Sequence, residues 1–183
     1  MKEHLSTILK ELESVLSGAD TYSAEKLAEK INRVDRVFIA GNGRSGLAGK
    51  MFAMRLMHIG YKAYVVGETI TPSISGDDLL IIISGSGKTQ TLAHFAKKAN
   101  EVNSEIALIT TNTDSPIASE SDLVIEVPAV TKATAHERAT IQPLGSQFDQ
   151  SAHLLLDGII VYLLEHLTKE GHEALQKKHT NLE

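Results

Sequence analysis

The sequence predicts an α/β fold: a three-layer α-β-α sandwich around a five-stranded, parallel, doubly wound sheet. Three observations point there. Short β-rich runs alternate with helical patterns through most of the chain. One run, DLLIIIS at 78–84, is apolar on both faces, as a central parallel strand must be. Two glycine-rich turns, GNGRSG and SGSGKT, each follow a strand and open a helix, at the sheet edge where such folds bind ligands.

Each element follows from its own pattern. Leu5, Ile8, Leu9, Leu12, Val15 and Leu16 recur at helical spacing, so an amphipathic helix covers about 2–17 and ends at Gly18. A shorter helix covers 22–32. VDRVFIA (34–40) reads as a buried strand, 44–59 as a helix and YKAYVV (61–66) as a second strand. After DLLIIIS, the residues Leu92, Phe95, Ala96 and Ala99 mark the next helix. EIALITT (105–111) and DLVIEV (122–127) are the fourth and fifth strands. The stretch 128–143 has little periodicity and reads as a loop running towards Asp149, with the length of a lid. One long helix then spans about 146–168. Phe148, Ala152, Leu155, Leu156, Ile159 and Ile160 begin a stripe wide enough for burial on more than one side. No repeat, low-complexity segment or second core interrupts the chain, so residues 1–183 read as a single domain. The first helix has no partner within a five-stranded sandwich and is expected to pack on another subunit.

Composition narrows the function. The chain has 183 residues, 42% of them apolar, which suffices for one core. Aromatics are 4% with no Trp, and the net charge is −5, both unfavourable to nucleic-acid binding. With no Cys, thiol chemistry and Cys-ligated zinc are excluded, and no His pair joins an acid at metal spacing. No apolar run approaches the roughly 20 residues of a membrane span. The start, MKEHLSTILKELESVL, is charged throughout and is not a signal peptide, so a cytoplasmic protein without membrane or nucleic-acid partners is expected.

The glycine turns carry the chemistry, and each has competing readings. Gly41, Gly43 and Gly46 spell G-x-G-x-x-G, and Glu68 lies about 20 residues on, where a ribose-binding acid belongs. That is a dinucleotide fingerprint, but the chain has no second lobe for a hydride partner. SGSGKT is not a phosphate-binding Walker loop, because Ile82 stands where that loop needs Gly. It does gather Ser84, Gly85, Ser86, Gly87, Lys88 and Thr89 at a helix mouth, a cradle for one phosphate that Gly43, Arg44 and Ser45 of the first turn could close. The bland alternative is that these residues cap helices and form tight turns, with Lys88 pointing to solvent. Glu68 equally suits an ion pair with Arg44.

GNGRSG, FAMRLMHIGYKAYVVGETITP, ISGSGKT, QPLGSQFDQ and KKHTNLE together resemble the sugar isomerase (SIS) family, and within it the 6-phospho-3-hexuloisomerases. The resemblance runs from about residue 20 to the C-terminus, and MRLMH and Q-P-x-G-S are its most specific parts. It implies a flavodoxin-like SIS fold, interconversion of 3-hexulose 6-phosphate and fructose 6-phosphate in the ribulose monophosphate route of formaldehyde fixation, no metal or nucleotide cofactor, and a homodimer or homotetramer. It assigns GNGRSG to a sugar-phosphate site rather than to NAD. Other sugar phosphates, and a non-catalytic sugar-phosphate sensor, remain as alternatives.

Moving a carbonyl from C3 to C2 moves one proton from C2 to C3 through an enediol, which one carboxylate or His can perform. By the resemblance Asp149 is that base, although the family pattern has Glu there, one methylene longer. The competing reading is structural: Ser146-x-x-Asp149 fits a capping box. His58 is the second candidate, or else a partner of a helix C-terminus. His179, in KKHTNLE, is the third, or else a solvent-exposed tail residue. A ring-opening His matters chiefly from the fructose 6-phosphate side, since O6 of the 3-ulose is esterified and cannot close a five-membered ring on C3.

Overall fold

The computed structural model describes residues 1–131, 140–168 and 175. Its apolar runs pair as five parallel strands: β1 Val37–Gly41, β2 Ala63–Val65, β3 Leu79–Ile83, β4 Glu105–Thr110 and β5 Leu123–Glu126. Their order is β2-β1-β3-β4-β5, with Ile39 beside Val65 on one side and Ile81 on the other. Among the described residues, five α-helices surround the sheet: α1 Lys2–Ser17, α2 Thr21–Ile31, α3 Gly43–His58, α4 Gln90–Glu101 and α5 Ser146–Tyr162.

The two-residue period of the strands sorts the core into two layers. Ile39, Ile81, Ile83, Ala107, Ile109 and Ile125 face one side, against Leu27 and Ile31 of α2, Phe52 and Leu56 of α3, and Phe148 and Leu156 of α5. Phe38, Ala40, Leu80, Ile82, Ile106 and Leu108 face the other, against Leu92, Ala96 and Ala99 of α4. The expected three-layer, doubly wound arrangement is therefore present. β3 is buried along its whole length, as its unbroken apolar run requires.

This strand order puts a topological switch point between β1 and β3. From β1 the chain crosses to β2 on one side, and from β3 it crosses to β4 on the other, so a crevice opens outside their carboxyl ends. Both glycine turns follow those two strands. Gly46 shows why the first turn is so tight. A Cβ there would lie 2.4 Å from the Gly41 carbonyl oxygen, so only glycine lets α3 start this close to β1.

Element ends depart from the sequence reading where tertiary contacts decide them. The strand expected over 61–66 shortens to Ala63–Val65, a half-buried edge. The long helix is α-helical only to Tyr162, and a π turn covers Leu163–Leu167, where the Thr168 N–H donates to the Leu163 oxygen at 2.9 Å. The first helix does have a partner in its own chain. α1 packs on α5, burying Leu12 and Val15. Glu11 accepts hydrogen bonds from Thr140 Oγ1 (2.7 Å), the Ile141 N–H (3.0 Å) and Gln142 Nε2 (2.9 Å). Leu5 and Leu9 remain exposed on its other face. Among the described residues, no helix is long and apolar enough to cross a membrane.

Candidate active site

The turn after β1 delivers α3 with its first N–H groups uncapped. Asn42 stands at the N-cap, but its side chain does not cap the helix; its Nδ2 donates to Thr91 Oγ1 of α4 at 2.9 Å. α5 likewise starts after Gly145 with no side-chain cap. These two helix starts, with Gly85 and Ser86 after β3, enclose a cavity of about 350 Å³. Thr131, Leu144 and Phe148 complete its wall. Two helix N-termini place partial positive charge there, which suits an anionic ligand.

Asp149 lies on this wall, its side chain only 11% exposed. Ser45 Oγ donates to its Oδ1 at 2.7 Å and Arg44 Nε to its Oδ2 at 3.0 Å. The capping-box alternative is not what forms: the Asp149 N–H donates to the Gly145 oxygen, and the carboxylate turns away to α3. A carboxylate has about four lone-pair sites, so two donors leave capacity for a proton from the cavity. Arg44 is 61% exposed and able to reach a ligand as well as Asp149. The same pair borders a second hollow of about 250 Å³ with Leu47, Met51, Gln150 and His153.

The structure thus gathers Gly43, Arg44, Ser45, Gly85, Ser86 and Asp149 around one cavity. Four other predicted binding residues do not line it. Ser84 is buried, its N–H donating to the Ile109 oxygen at 3.0 Å. Gly87, at φ +63°, is seated so that a Cβ would lie 2.0 Å from Ser115 Oγ. Lys88 is exposed, and its N–H donates to Ser86 Oγ at 3.3 Å. Thr89 stands at the N-cap of α4 without a side-chain cap. The turn folds back on itself, the Gly87 N–H donating to the Ser84 oxygen at 3.2 Å, and offers the cavity only Gly85 and Ser86.

His58 is not part of this cavity within one chain. It is buried in the last turn of α3, about 21 Å of helix rise beyond Arg44, with its Nδ1 3.4 Å from Arg55 Nη1. His179 lies outside the described residues, as does half of the expected lid, 132–139. Glu68 pairs with Lys50 at 2.5 Å, not with Arg44. Among the described residues no group of three His, Asp or Glu could hold a metal ion.

The sequence reading missed Asn42, Thr131, Leu144 and Phe148 on the wall. Leu144 holds φ +56°, a conformation costly for a leucine, at the mouth of the site. Its place in Q-P-x-G-S was the available signal.

Comparison with known proteins agrees with this geometry. The SIS domain profile matches residues 30–147. The 3-hexulose-6-phosphate isomerase of Bacillus subtilis is 41% identical over 99% of this chain and 98% of its own. That of Mycobacterium gastri is 39% identical over 98% and 90%. A crystal structure of a hypothetical protein from Methanococcus jannaschii, whose description infers a molecular function of 3-hexulose-6-phosphate isomerase, superposes with a TM-score of 0.85 at 34% identity, covering 99% of both chains. A profile match over well more than half the chain, and relatives this similar over nearly their full length, establish that the chain belongs to the SIS domain family.

Proposed function

We infer that this protein is a phosphosugar isomerase that interconverts 3-hexulose 6-phosphate and fructose 6-phosphate, a step of the ribulose monophosphate route. The observation that carries the reading is Asp149: a carboxylate oriented by Ser45 and Arg44 on the wall of a cavity where two helix N-termini open. Full-length similarity to named 3-hexulose-6-phosphate isomerases supplies the substrate class.

In this reading Asp149 removes the C2 proton of the open-chain hexulose phosphate. The electron pair forms the C2–C3 double bond of an enediol, and O3 takes a proton. Asp149 then returns its proton to C3 while O2 loses one and becomes the new carbonyl. One base on one face serves both transfers. Arg44 supplies donors for developing charge on O2 and O3, since its guanidinium keeps further N–H groups while the single Ser45 O–H stays on Asp149. The phosphate lies against the first turn of α3 and the Gly85–Ser86 turn, where its binding energy fixes the reacting carbons. No metal or nucleotide enters the scheme, and the enzyme is cytoplasmic.

His58 can take part, for instance in opening the fructose 6-phosphate ring, only if a second copy brings it to this site. The exposed Leu47, Met51, Met54 and Met57 on α3 and the free face of α1 support an assembly, a dimer or tetramer. A part for His179 is proposed on the family resemblance of its segment alone.

The test is incubation with fructose 6-phosphate in D2O followed by proton NMR. Deuterium entering at C3 is expected. Exchange at C1 would indicate another isomerase, and line broadening without exchange a sensor.

A further inference from the structure

β4 ends at Thr110, and Thr111 follows it, beside the second glycine turn. Both address a single acceptor, the Gly85 carbonyl oxygen. Thr111 donates to it twice, from Oγ1 at 2.8 Å and from its N–H at 3.1 Å, and Thr110 Oγ1 stands 3.2 Å away. In a trans peptide the carbonyl and the following N–H point in opposite directions. Donors arriving from β4 therefore aim the next N–H, that of Ser86, away from β4. Gly85 and Ser86 both line the cavity, and no described residue accepts from the Ser86 N–H.

The neighbouring peptides are fixed from the same direction. Asn112 Nδ2 donates to the Ser86 oxygen at 3.4 Å and the Ile117 N–H to the Gly87 oxygen at 3.1 Å. A carbonyl that accepts several donors also polarises its peptide, which strengthens the N–H on the other end, on the order of 10–30% per bond.

We propose that Thr111 is a positioning residue for the site: it locks the Gly85–Ser86 peptide so that the Ser86 N–H receives the phosphate of the substrate. Thr111 is itself not on the cavity wall. The proposal rests on the reading of the cavity as a sugar-phosphate site.

Thr111→Val removes the hydroxyl bond and keeps a β-branched side chain; should the valine protein not fold, Thr111→Ala removes the same bond with a smaller side chain. Thr111→Ser restores the hydroxyl. KM and kcat for fructose 6-phosphate are measured, with the Ki of inorganic phosphate as a competitive inhibitor. In Thr111→Val, KM and Ki should rise together by about three- to tenfold, the worth of one hydrogen bond, with kcat within about twofold. Thr111→Ser should match the parent. Unchanged KM and Ki with only a lower Tm, a loss confined to kcat, or failure of Thr111→Ser to rescue would each overturn the proposal. Should the parent protein turn over no fructose 6-phosphate, the isomerase reading fails on its own. Inorganic phosphate affinity of the three proteins, by calorimetry, then decides the role of Thr111.

Discussion

Asp149→Asn separates chemistry from architecture, because the structure makes its two costs very different. The amide is isosteric and keeps an oxygen for the Ser45 hydroxyl, which now donates at 2.7 Å. What folding loses is the ionic half of the Arg44 pair and a negative charge in the first turn of α5. Arg44 is 61% exposed, so the pair contributes under about 1 kcal/mol. The dipole term adds roughly 0.3–1 kcal/mol. Together these lower Tm by only a few degrees, at roughly 2–4 °C per kcal/mol for a chain of this size. Removing a general base costs roughly 100- to 10,000-fold in rate, about 3–5 kcal/mol of transition-state stabilisation. Thermal unfolding and C3 deuterium exchange in fructose 6-phosphate, measured on the same preparation, read the two numbers. A variant that melts near the parent and retains more than about a tenth of the exchange would refute Asp149 as the base.

Three further outcomes follow from the geometry. Gly46→Ala should lower Tm and reduce C3 exchange together, because its Cβ forces α3 away from the Gly41 oxygen at a cost of about 1–3 kcal/mol; an unchanged Tm would deny the close approach. Glu11→Ala should cost about 2 kcal/mol in urea unfolding, since it strands three donors at 140–142 that one carboxylate satisfies. Asp78 governs the acid limb of stability. Burial works against its charge, but Arg36 and Ser75 outweigh it and hold its carboxyl below the usual carboxylate range. Its contribution is therefore complete above the unfolded value of about 4 and disappears as pH falls through the lower folded value. Asp78→Ala should destabilise by about 3–5 kcal/mol at pH 7 and flatten the loss of stability below about pH 4, followed by denaturant titration at each pH.

The fold was legible because its signals are local. β3, β4 and β5 announced themselves by runs rich in Ile, Leu and Val, β1 by VFIA and β2 only by the short Ala63–Val65, and the two glycine turns marked the ends of β1 and β3 without any knowledge of partners. The face of each strand residue also followed from the period of two, as the split of Ile81 from Ile82 between the two core layers shows. The partner of α1 was not legible. Its apolar stripe states that something covers Leu12 and Val15, but nothing in residues 2–17 says that this is α5 of the same chain. Thr111 was illegible for a related reason. It acts by holding a backbone oxygen of another loop, a task for which any hydroxyl at the right place serves, so it leaves no motif.

Ser146-x-x-Asp149 shows the limit most sharply, because the same four residues support two structures. As a capping box, the acid would bond backbone N–H groups of its own first turn, worth about 1 kcal/mol. In the fold it meets the Ser45 hydroxyl and the Arg44 guanidinium, 104 and 105 positions away in the chain. A hydrogen bond to a charged group contributes roughly 1.5–3 kcal/mol when well shielded, as the Ser45 bond is against an Asp149 only 11% exposed, and the solvent-facing Arg44 pair adds under about 1 kcal/mol. The distant partners win, the start of α5 keeps no side-chain cap although its Ser146 N–H donates to the Pro143 oxygen, and Gly145, Phe148 and Asp149 face the cavity. A single choice of hydrogen-bond partner thus both orients the carboxylate and creates the positive helix end beside it. The local cap would have left the site neither a base aimed at the cavity nor free donors for an anion.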